Sequence, residues 1–146
     1  MLRGSSQARI DDKGRLKVPT GFLRFFEERY GLDVFLTSIE GESALLFPLA
    51  VWEEREAKLA SLPPSDPVRR KYLERASHFG QQTQLDGQGR VVVPQILRDV
   101  AGIVGDVSVG GRLDHLEIWN LERLQRRFTT QPFSDEDYQY LSDRGV

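Results

Sequence analysis

The chain has 146 residues, enough for one compact domain or for two small halves that share a core. Hydrophobic residues make up 39% and charged residues 29%, as in an ordinary globular protein, and the lack of cysteine excludes disulfides, cysteine-ligated zinc and a thiol nucleophile. The net charge of −2 argues against a protein that coats nucleic acid indiscriminately, and no apolar run approaches the ~20 residues of a membrane-spanning helix.

A ten-residue segment near the start of the chain returns 75 residues further on. It reads IDDKGRLKVP at residues 10–19 and LDGQGRVVVP at residues 85–94. Both copies place an apolar residue, Asp, Gly, Arg, two further apolar residues and Pro at the same offsets. Because internal repeats decide the architecture and two copies are too few for a solenoid, the sequence predicts a duplicated unit folded into one pseudo-symmetric body.

A tight turn is predicted in each copy, ending at Gly14 and at Gly89. A bulged hairpin loop needs a residue with positive φ at this point, and glycine adopts that conformation without strain. Asp11 and Asp86 stand just before the turns, where a carboxylate accepts hydrogen bonds from turn amides. Each copy is therefore expected to open with a hairpin-like turn that an aspartate stabilises.

A strand and then a helix are predicted after each turn. Residues 15–18 alternate between polar and apolar, which predicts a half-buried strand, whereas residues 91–93 are all valine and predict a strand covered on both faces. Pro19 and Pro94 remove a ladder donor, so each strand ends there and a helix begins. These helices span about residues 20–30 and 95–101, with buried positions predicted at Phe22, Phe25, Phe26, Tyr30, Ile96, Leu97 and Val100.

The remaining predicted elements are helices. Two lie between the copies, at about residues 51–62 and from Pro67, where Asp66 is the N-cap. The second of these is expected to bury Val68, Tyr72, Ala76 and Phe79. After the second copy comes an amphipathic helix that holds Leu121, Leu124 and Phe128. A capping-box pattern from Ser134 then precedes a short helix at about residues 138–141, and the predicted class is α+β.

Charge is unevenly distributed along the chain. Residues 1–24 carry six Lys or Arg and two Asp, a net charge of +4. The segment from Gln131 carries four Asp or Glu and one Arg, a net charge of −3. A basic N-terminal segment and an acidic C-terminal segment are compatible with local binding of nucleic acid, even though the whole chain is nearly neutral. Charged segments that only face solvent show the same pattern.

The repeated motif resembles the paired DxxxR motifs of the MraZ family. Asp11 and Arg15 form the first motif and Asp86 and Arg90 the second, each followed by an apolar strand and proline. The resemblance covers roughly residues 1–128 and also includes Arg3-Gly4, Phe47-Pro48-Leu49, Trp52 and Leu116 to Trp119. Only the tail from Gln131 lies outside it.

The resemblance implies a fold and a domain organisation. The family's halves are similar to the SpoVT/AbrB type of DNA-binding domain, in which β-hairpins from two units interlock. The implied fold has two tandem swapped-hairpin β units in a pseudo-two-fold arrangement with attached helices. The expected domains are residues 5–51 and 80–123, with a helical connector at 52–79 and a C-terminal helix and acidic tail at 124–146.

The resemblance also implies a function. MraZ-like proteins assemble into ring-shaped homo-oligomers, associate with the nucleoid and regulate transcription of the bacterial division and cell-wall gene cluster. The expected partners are double-stranded DNA at direct repeats, including the region upstream of the protein's own gene, and further copies of the chain. No cofactor, metal, membrane or small-molecule substrate is expected. Because the N-terminus lacks the features of a signal peptide, we expect a cytoplasmic protein.

The motif arginines are the leading candidates for DNA contact. Arg15 directly follows a tight turn, where its guanidinium can fork onto phosphate or onto guanine O6 and N7. The second copy has Gln88 and Val92 where the first has lysines, so the first copy is expected to be the main DNA-facing copy. For Arg90 the sequence leaves two alternatives, a DNA contact or a structural role. The candidate DNA-binding residues are Lys13, Arg15, Lys17, Arg3 and Arg90.

The motif aspartates have a structural interpretation. Asp11 and Asp86 each stand four residues before an arginine and can form an ion pair that ties the turn to its strand. A carboxylate on a DNA-binding face repels phosphate unless it orients the neighbouring arginine. We therefore expect structural roles for the aspartates and for the turn glycines, Gly14 and Gly89.

Other function classes remain open from the sequence alone. One is a ring-forming structural or adaptor protein that binds other proteins, and another is an antitoxin-like domain with a toxin partner. Asp11 and Asp86 could also form an acid/base pair, but no nucleophile motif or nearby histidine accompanies them, so we expect no enzymatic activity. His78 and His115 lie 37 residues apart without a metal-binding spacing, so no metal site is expected.

Overall fold

The computed structural model describes residues 1–146 and contains eight strands and six helices. The strands are β1 (Ser5–Arg9), β2 (Arg15–Lys17), β3 (Asp33–Thr37), β4 (Ala44–Pro48), β5 (Gln81–Gln84), β6 (Arg90–Val92), β7 (Asp106–Gly111) and β8 (Leu116–Asn120). The helices are α1 (Thr20–Arg29), α2 (Leu49–Ala60), α3 (Pro67–His78), α4 (Gln95–Ala101), α5 (Leu121–Thr130) and α6 (Asp135–Ser142). The predicted α+β class is confirmed.

The strands of the two repeats are interleaved. Six of them form an antiparallel sheet in the order β1-β7-β8-β4-β3-β5, and β2 pairs with β6 in a separate two-stranded ribbon. The first repeat supplies β1 to β4 and the second supplies β5 to β8. The first strand of each repeat therefore pairs with the third strand of the other, and exchanging the two repeats leaves the strand order unchanged.

The predicted bulged turn forms in both copies, with the Gly14 amide donating to the Asp11 carbonyl at 3.1 Å and the Gly89 amide to the Asp86 carbonyl at 3.0 Å. The strands that flank each turn, however, do not pair with each other. The Asp11 amide donates to the Arg15 carbonyl at 3.1 Å, but the chain then separates, with β1 joining β7 and β2 joining β6. The reason lies in burial. Pairing β2 with β6 places Leu16 opposite Val91, and both side chains are buried in the core.

Both repeats contribute to one main hydrophobic core. A cluster of 19 buried residues includes Leu16, Val18 and Phe26 from the first repeat together with Val91 and Leu97 from the second. A smaller cluster lies beneath α2 and α3 and consists of Phe47, Val51, Trp52 and Ala76. Neither repeat therefore encloses a core by itself, because each supplies only part of the shared cluster.

Several burial predictions are wrong at the outer turns of helices. Ile96 is 42% exposed because the short α4 turns only Leu97 and Ala101 fully toward the core. Val68 is 69% exposed in the first turn of α3, one turn before Tyr72 reaches the smaller cluster. In α1 only Phe26 is fully buried, while Phe22, Phe25 and Tyr30 are partly buried.

The helix starts agree well with the capping signals. Asp66 accepts hydrogen bonds from the amides of Val68 and Arg69, as an N-cap does. Ser134 and Asp137 form a complete capping box, so the last helix begins at Asp135 and is longer than predicted. No helix in the structure has both the length and the apolar character needed to cross a membrane.

Candidate nucleic-acid interface

The first motif aspartate organises the turn that precedes β2. The Asp11 carboxylate accepts hydrogen bonds from the backbone amides of Lys13, at 3.0 Å, and Arg15, at 2.8 Å. Its other oxygen accepts from Nε of the Arg15 side chain at 2.7 Å, which is also an ion pair. Gly14 adopts a φ of +81°, as predicted. The carboxylate thus fixes both the turn and the direction of the arginine side chain.

The second turn repeats this geometry. The Asp86 carboxylate accepts from the amides of Gln88, at 2.8 Å, and Arg90, at 2.9 Å, and from the Arg90 Nε at 3.0 Å. Gly89 adopts a φ of +74°. The two copies therefore share one local structure even though their turn residues differ.

Hydrogen bonding keeps both motif carboxylates ionised. The backbone amide of Arg15 is the main cause that lowers the pKa of Asp11 below its ordinary value of 3.8, and partial desolvation opposes it. The Arg90 amide lowers the pKa of Asp86 from 3.8 in the same way. Each carboxylate therefore stays ionised to a lower pH than an ordinary aspartate, and as an anion it orients its arginine.

The ribbon gathers three of the predicted DNA-binding residues on one face. Its register pairs Arg15 with Val92 and Lys17 with Arg90. Because side chains alternate along a strand, these four point outward, while the paired residues Leu16 and Val91 point into the core. The basic ribbon face, defined as Arg15, Lys17 and Arg90, therefore combines residues from both repeats.

Val92 lies on the outward face of the ribbon. The valines at residues 91–93 predict cover on both faces, by the core or by another copy of the chain. In the single chain Val91 and Val93 are buried and Val92 is 54% exposed. The ribbon lies at the surface, so only its inner face is covered by this chain.

The other two predicted cations lie in different places. Lys13 is exposed at the tip of the first turn, next to the basic ribbon face. Arg3 is also exposed, but it precedes β1 at the end remote from that turn. The five residues of β1 lie between Arg3 and the first turn, and this strand alone spans about 16 Å at ~3.3 Å per residue. The structure therefore does not bring Arg3 together with the other four.

The two turns lie at opposite ends of the ribbon. The Val93 amide donates to the Gly14 carbonyl at 2.7 Å, and the Val18 amide donates to the Gly89 carbonyl at 2.9 Å. The three residues of β2 therefore lie between the turns, and the four residue steps from Gly14 to Val18 span about 13 Å at ~3.3 Å per residue. Asp11 and Asp86 consequently do not form the carboxylate pair that an acid/base mechanism needs.

No group of three or more His, Asp or Glu side chains lies close enough together to hold a metal ion. Of the two histidines, His78 is exposed on α3. His115 stacks on Phe47 with ring centroids 4.5 Å apart, and its Nδ1 lies 2.7 Å from the Asp114 carboxylate.

Sequence reasoning missed the side chains that cover the turn glycines. A Cβ at Gly14 would lie 2.7 Å from Nε of Arg98, and a Cβ at Gly89 would overlap the Leu23 side chain. A signal was present, because Leu23 and Arg98 are separated by the 75-residue offset of the repeat. Its meaning depends on the strand exchange, which the repeat alone does not reveal.

Comparison with known proteins gives a consistent family assignment. A family model described as "MraZ protein, putative antitoxin-like" matches residues 1–75 and 80–141. The Transcriptional regulator MraZ of Koribacter versatilis is 46% identical over 147 residues, covering 100% of this chain and 100% of that protein. The Transcriptional regulator MraZ of Acidobacterium capsulatum is 42% identical over 146 residues, with the same full coverage of both chains.

Similarity to solved structures is more distant. The solution structure of PHS018 from Pyrococcus horikoshii covers 82% of this chain and 99% of its own, at 18% identity and a TM-score of 0.36. That score is too low to support an argument about a shared fold. The family model and the two relatives, in contrast, span nearly all of the sequence and both of its repeats. The chain belongs to the MraZ family.

Proposed function

We propose that the protein is a sequence-specific DNA-binding transcriptional regulator and that the basic ribbon face contacts the DNA. Its full-length relatives are named transcriptional regulators. The observation that carries the proposal is the register of the ribbon, which aligns Lys17 with Arg90 and places Arg15 on the same outward face. Three cations on one short, rigid surface match the repeated negative charge of a phosphate backbone.

The motif residues have distinct roles in this proposal. Arg15 and Arg90 each use Nε to bind their aspartate, which leaves the two terminal nitrogens of the guanidinium for phosphate or for a guanine edge. Lys13 and Lys17 bind phosphate as point charges. Arg90 lies on the same face as Arg15, so we assign it a DNA contact as well. Arg3 serves as a separate, peripheral phosphate contact.

We also propose the domain organisation and assembly implied by the resemblance. Residues 5–51 and 80–123 would be two SpoVT/AbrB-like units, joined by the helical connector 52–79 and followed by the tail 124–146. Copies of the chain would form a ring that acts in the cytoplasm at the nucleoid. Exposed apolar side chains away from the ribbon support an assembly, since Val68 is 69% exposed on α3 and Phe128 is 66% exposed on α5.

The ring matters for affinity because a single ribbon offers only about three to four phosphate contacts. Once one subunit is bound, its neighbours meet the next DNA repeat at a raised effective concentration, which multiplies affinity by ~10² or more if the spacing fits. The proposed target is therefore a set of direct repeats upstream of the division and cell-wall gene cluster that includes the protein's own gene.

Binding to designed repeats tests this function. The affinity of the protein should be measured for DNA with one repeat, with several repeats, and with ~5 base pairs inserted between repeats, which is half of the ~10.5 base-pair helical turn. We expect tight binding only to several repeats in register. Equal affinity for all three fragments contradicts the avidity mechanism, and a 16.7 kDa monomer in light scattering contradicts the ring.

A second candidate is a ring-forming adaptor that binds other proteins. It is favoured by the exposed aromatic side chains of the C-terminal segment, which are Phe128, Phe133, Tyr138 and Tyr140. An adaptor predicts no specific binding to the upstream DNA at any salt concentration. A DNA regulator predicts specific binding that weakens steeply as salt rises.

A further inference from the structure

Each turn glycine is covered by a side chain from the other repeat. Leu23 of α1 in the first repeat packs on Gly89, and Arg98 of α4 in the second repeat packs on Gly14. These two covering residues occupy equivalent positions, 75 residues apart. The interleaved strands bring them to equivalent places, but one is apolar and the other carries a positive charge. The two ends of the ribbon are therefore chemically different.

Arg98 is held firmly but lacks a counter-ion. Its Nε donates to the Val93 carbonyl at 3.0 Å, which fixes the guanidinium against the first turn. It forms none of the ion pairs of the structure, whereas Arg15 and Arg90 are each paired with a motif aspartate. The terminal nitrogens of Arg98 therefore remain available for an anion, and little side-chain entropy is lost when one binds.

The surroundings of Arg98 are accessible from solvent. The side chain lines an open depression of about 310 Å³ beside the first turn, together with Arg9, Asp11, Asp12 and the loop at residues 103–105. Arg9 is paired with Asp106, and Asp11 is bound by the turn, but Asp12 leaves a carboxylate in the depression. The Asp12 charge disfavours an anion enclosed in the depression, so the ligand proposed for Arg98 is a phosphate that approaches from the open, solvent side.

We propose that Arg98 is a phosphate-binding residue at the first turn, supplied to it by the second repeat. With Lys13 and Arg15 it would make that end of the ribbon the stronger end for DNA, while Leu23 leaves the second end without such a cation. This inference rests on the proposed DNA-binding function. Lys17 lies at the second turn, opposite Arg90, so without Arg98 each end of the ribbon would present two cations.

The test exchanges the two covering residues. Arg98→Leu places at the first turn the side chain that already covers the second, so the fold should be retained. Its affinity for single-repeat DNA should fall about eightfold at ~0.1 M salt, and the slope of log affinity against log salt should become shallower by ~0.9. Leu23→Arg should change both quantities in the opposite direction. Circular dichroism and thermal melting check that both variants fold.

Two further variants keep the proposal testable. Arg98→Lys retains the positive charge and should keep the wild-type slope of log affinity against log salt. Arg98→Gln can still donate to the Val93 carbonyl but has no charge, so its slope should become shallower by the same amount as that of Arg98→Leu. An unchanged slope in folded Arg98→Leu or Arg98→Gln overturns the role of Arg98 and leaves the ribbon proposal intact. If the wild-type protein binds no DNA, the proposed function and this inference are both overturned.

Discussion

Lys17 of β2 lies directly opposite Arg90 of β6, so two positive charges share one cross-strand pair. Like charges in this position repel each other, and Arg15 adds a third cation on the same face. Asp11 and Asp86 offset part of this repulsion through their ion pairs with Arg15 and Arg90. Lys17 has no carboxylate partner, and its ammonium donates to the Gln88 carbonyl at 3.0 Å. The excess positive charge of the face therefore rests on Lys17.

Replacing Lys17 by Glu should affect stability and DNA binding in opposite directions. The new carboxylate faces Arg90 and converts a repulsive pair into an attractive one, which should raise the free energy of unfolding by about 0.2–1 kcal/mol. The same change puts a negative charge on the basic ribbon face and should abolish most DNA affinity. Chemical denaturation and fluorescence anisotropy measure the two effects.

Lys71→Glu is the matched control for this substitution, since Lys71 is exposed on α3 away from the ribbon. It makes the same change in net charge and should leave affinity for repeat DNA nearly unaltered. Loss of stability in Lys17→Glu, or equal loss of DNA binding in both variants, contradicts the assigned role of the ribbon.

Substitution by alanine should destabilise the protein at Gly89 but not at Gly87, although both glycines lie in the second turn. Gly89→Ala forces an L residue into a φ of +74°, next to Leu23, and should lower the free energy of unfolding by about 1–2 kcal/mol. Gly87 lies in the same turn, has no positive φ and has open space around it. Gly87→Ala should be neutral or slightly stabilising. Equal unfolding midpoints in urea for the two variants contradict this account of the turn.

The motif aspartates should make stability depend on pH in the acid range. The pKa of Asp11 and that of Asp86 are lower in the folded protein than the ordinary value of 3.8. Their stabilising effect is therefore complete at neutral pH, above the unfolded pKa, and is lost as the pH falls through the folded pKa. We expect Asp11→Asn to be less stable than the wild type at pH 7 and nearly equal to it at about pH 2.

Asp12→Asn is the control for this prediction because Asp12 is exposed in the same turn. Its effect on stability should be small at both pH values. Denaturant unfolding at a series of pH values gives the comparison. A deficit of Asp11→Asn that stays constant from neutral to acid pH shows that ionisation of Asp11 is not the cause.

The sequence predicts local structure well because the interactions are local. Asp11 binds amides two and four residues ahead, and the positive φ of Gly14 is a property of the turn itself. These features depend on short segments that the repeated motif displays in full. The same holds for the N-cap at Asp66 and the capping box at Ser134.

Long-range pairing could not be predicted from the residues alone. β1 pairs with β7, where Arg9 lies opposite Asp106. The same turn sequence is also compatible with a local hairpin between β1 and β2, so the turn does not determine the partner of β1. The exposure of Val92 in the single chain has the same origin, because it depends on which strand lies beside β6. Arg98 was missed since its position over Gly14 exists only after the repeats exchange strands.

The most direct test of the DNA-binding ribbon compares two arginines that each bind one carboxylate. Arg15 pairs with Asp11 on the ribbon, and Arg70 pairs with Glu74 on α3, in both cases four residues apart. The measurement is the affinity of Arg15→Ala and Arg70→Ala for the DNA upstream of the protein's own gene, with melting temperatures recorded alongside. Arg15→Ala should weaken binding by about 1–3 kcal/mol per site while Arg70→Ala binds like the wild type. Unchanged binding by Arg15→Ala with a marked drop in its melting temperature would show that Arg15 serves only the Asp11 ion pair.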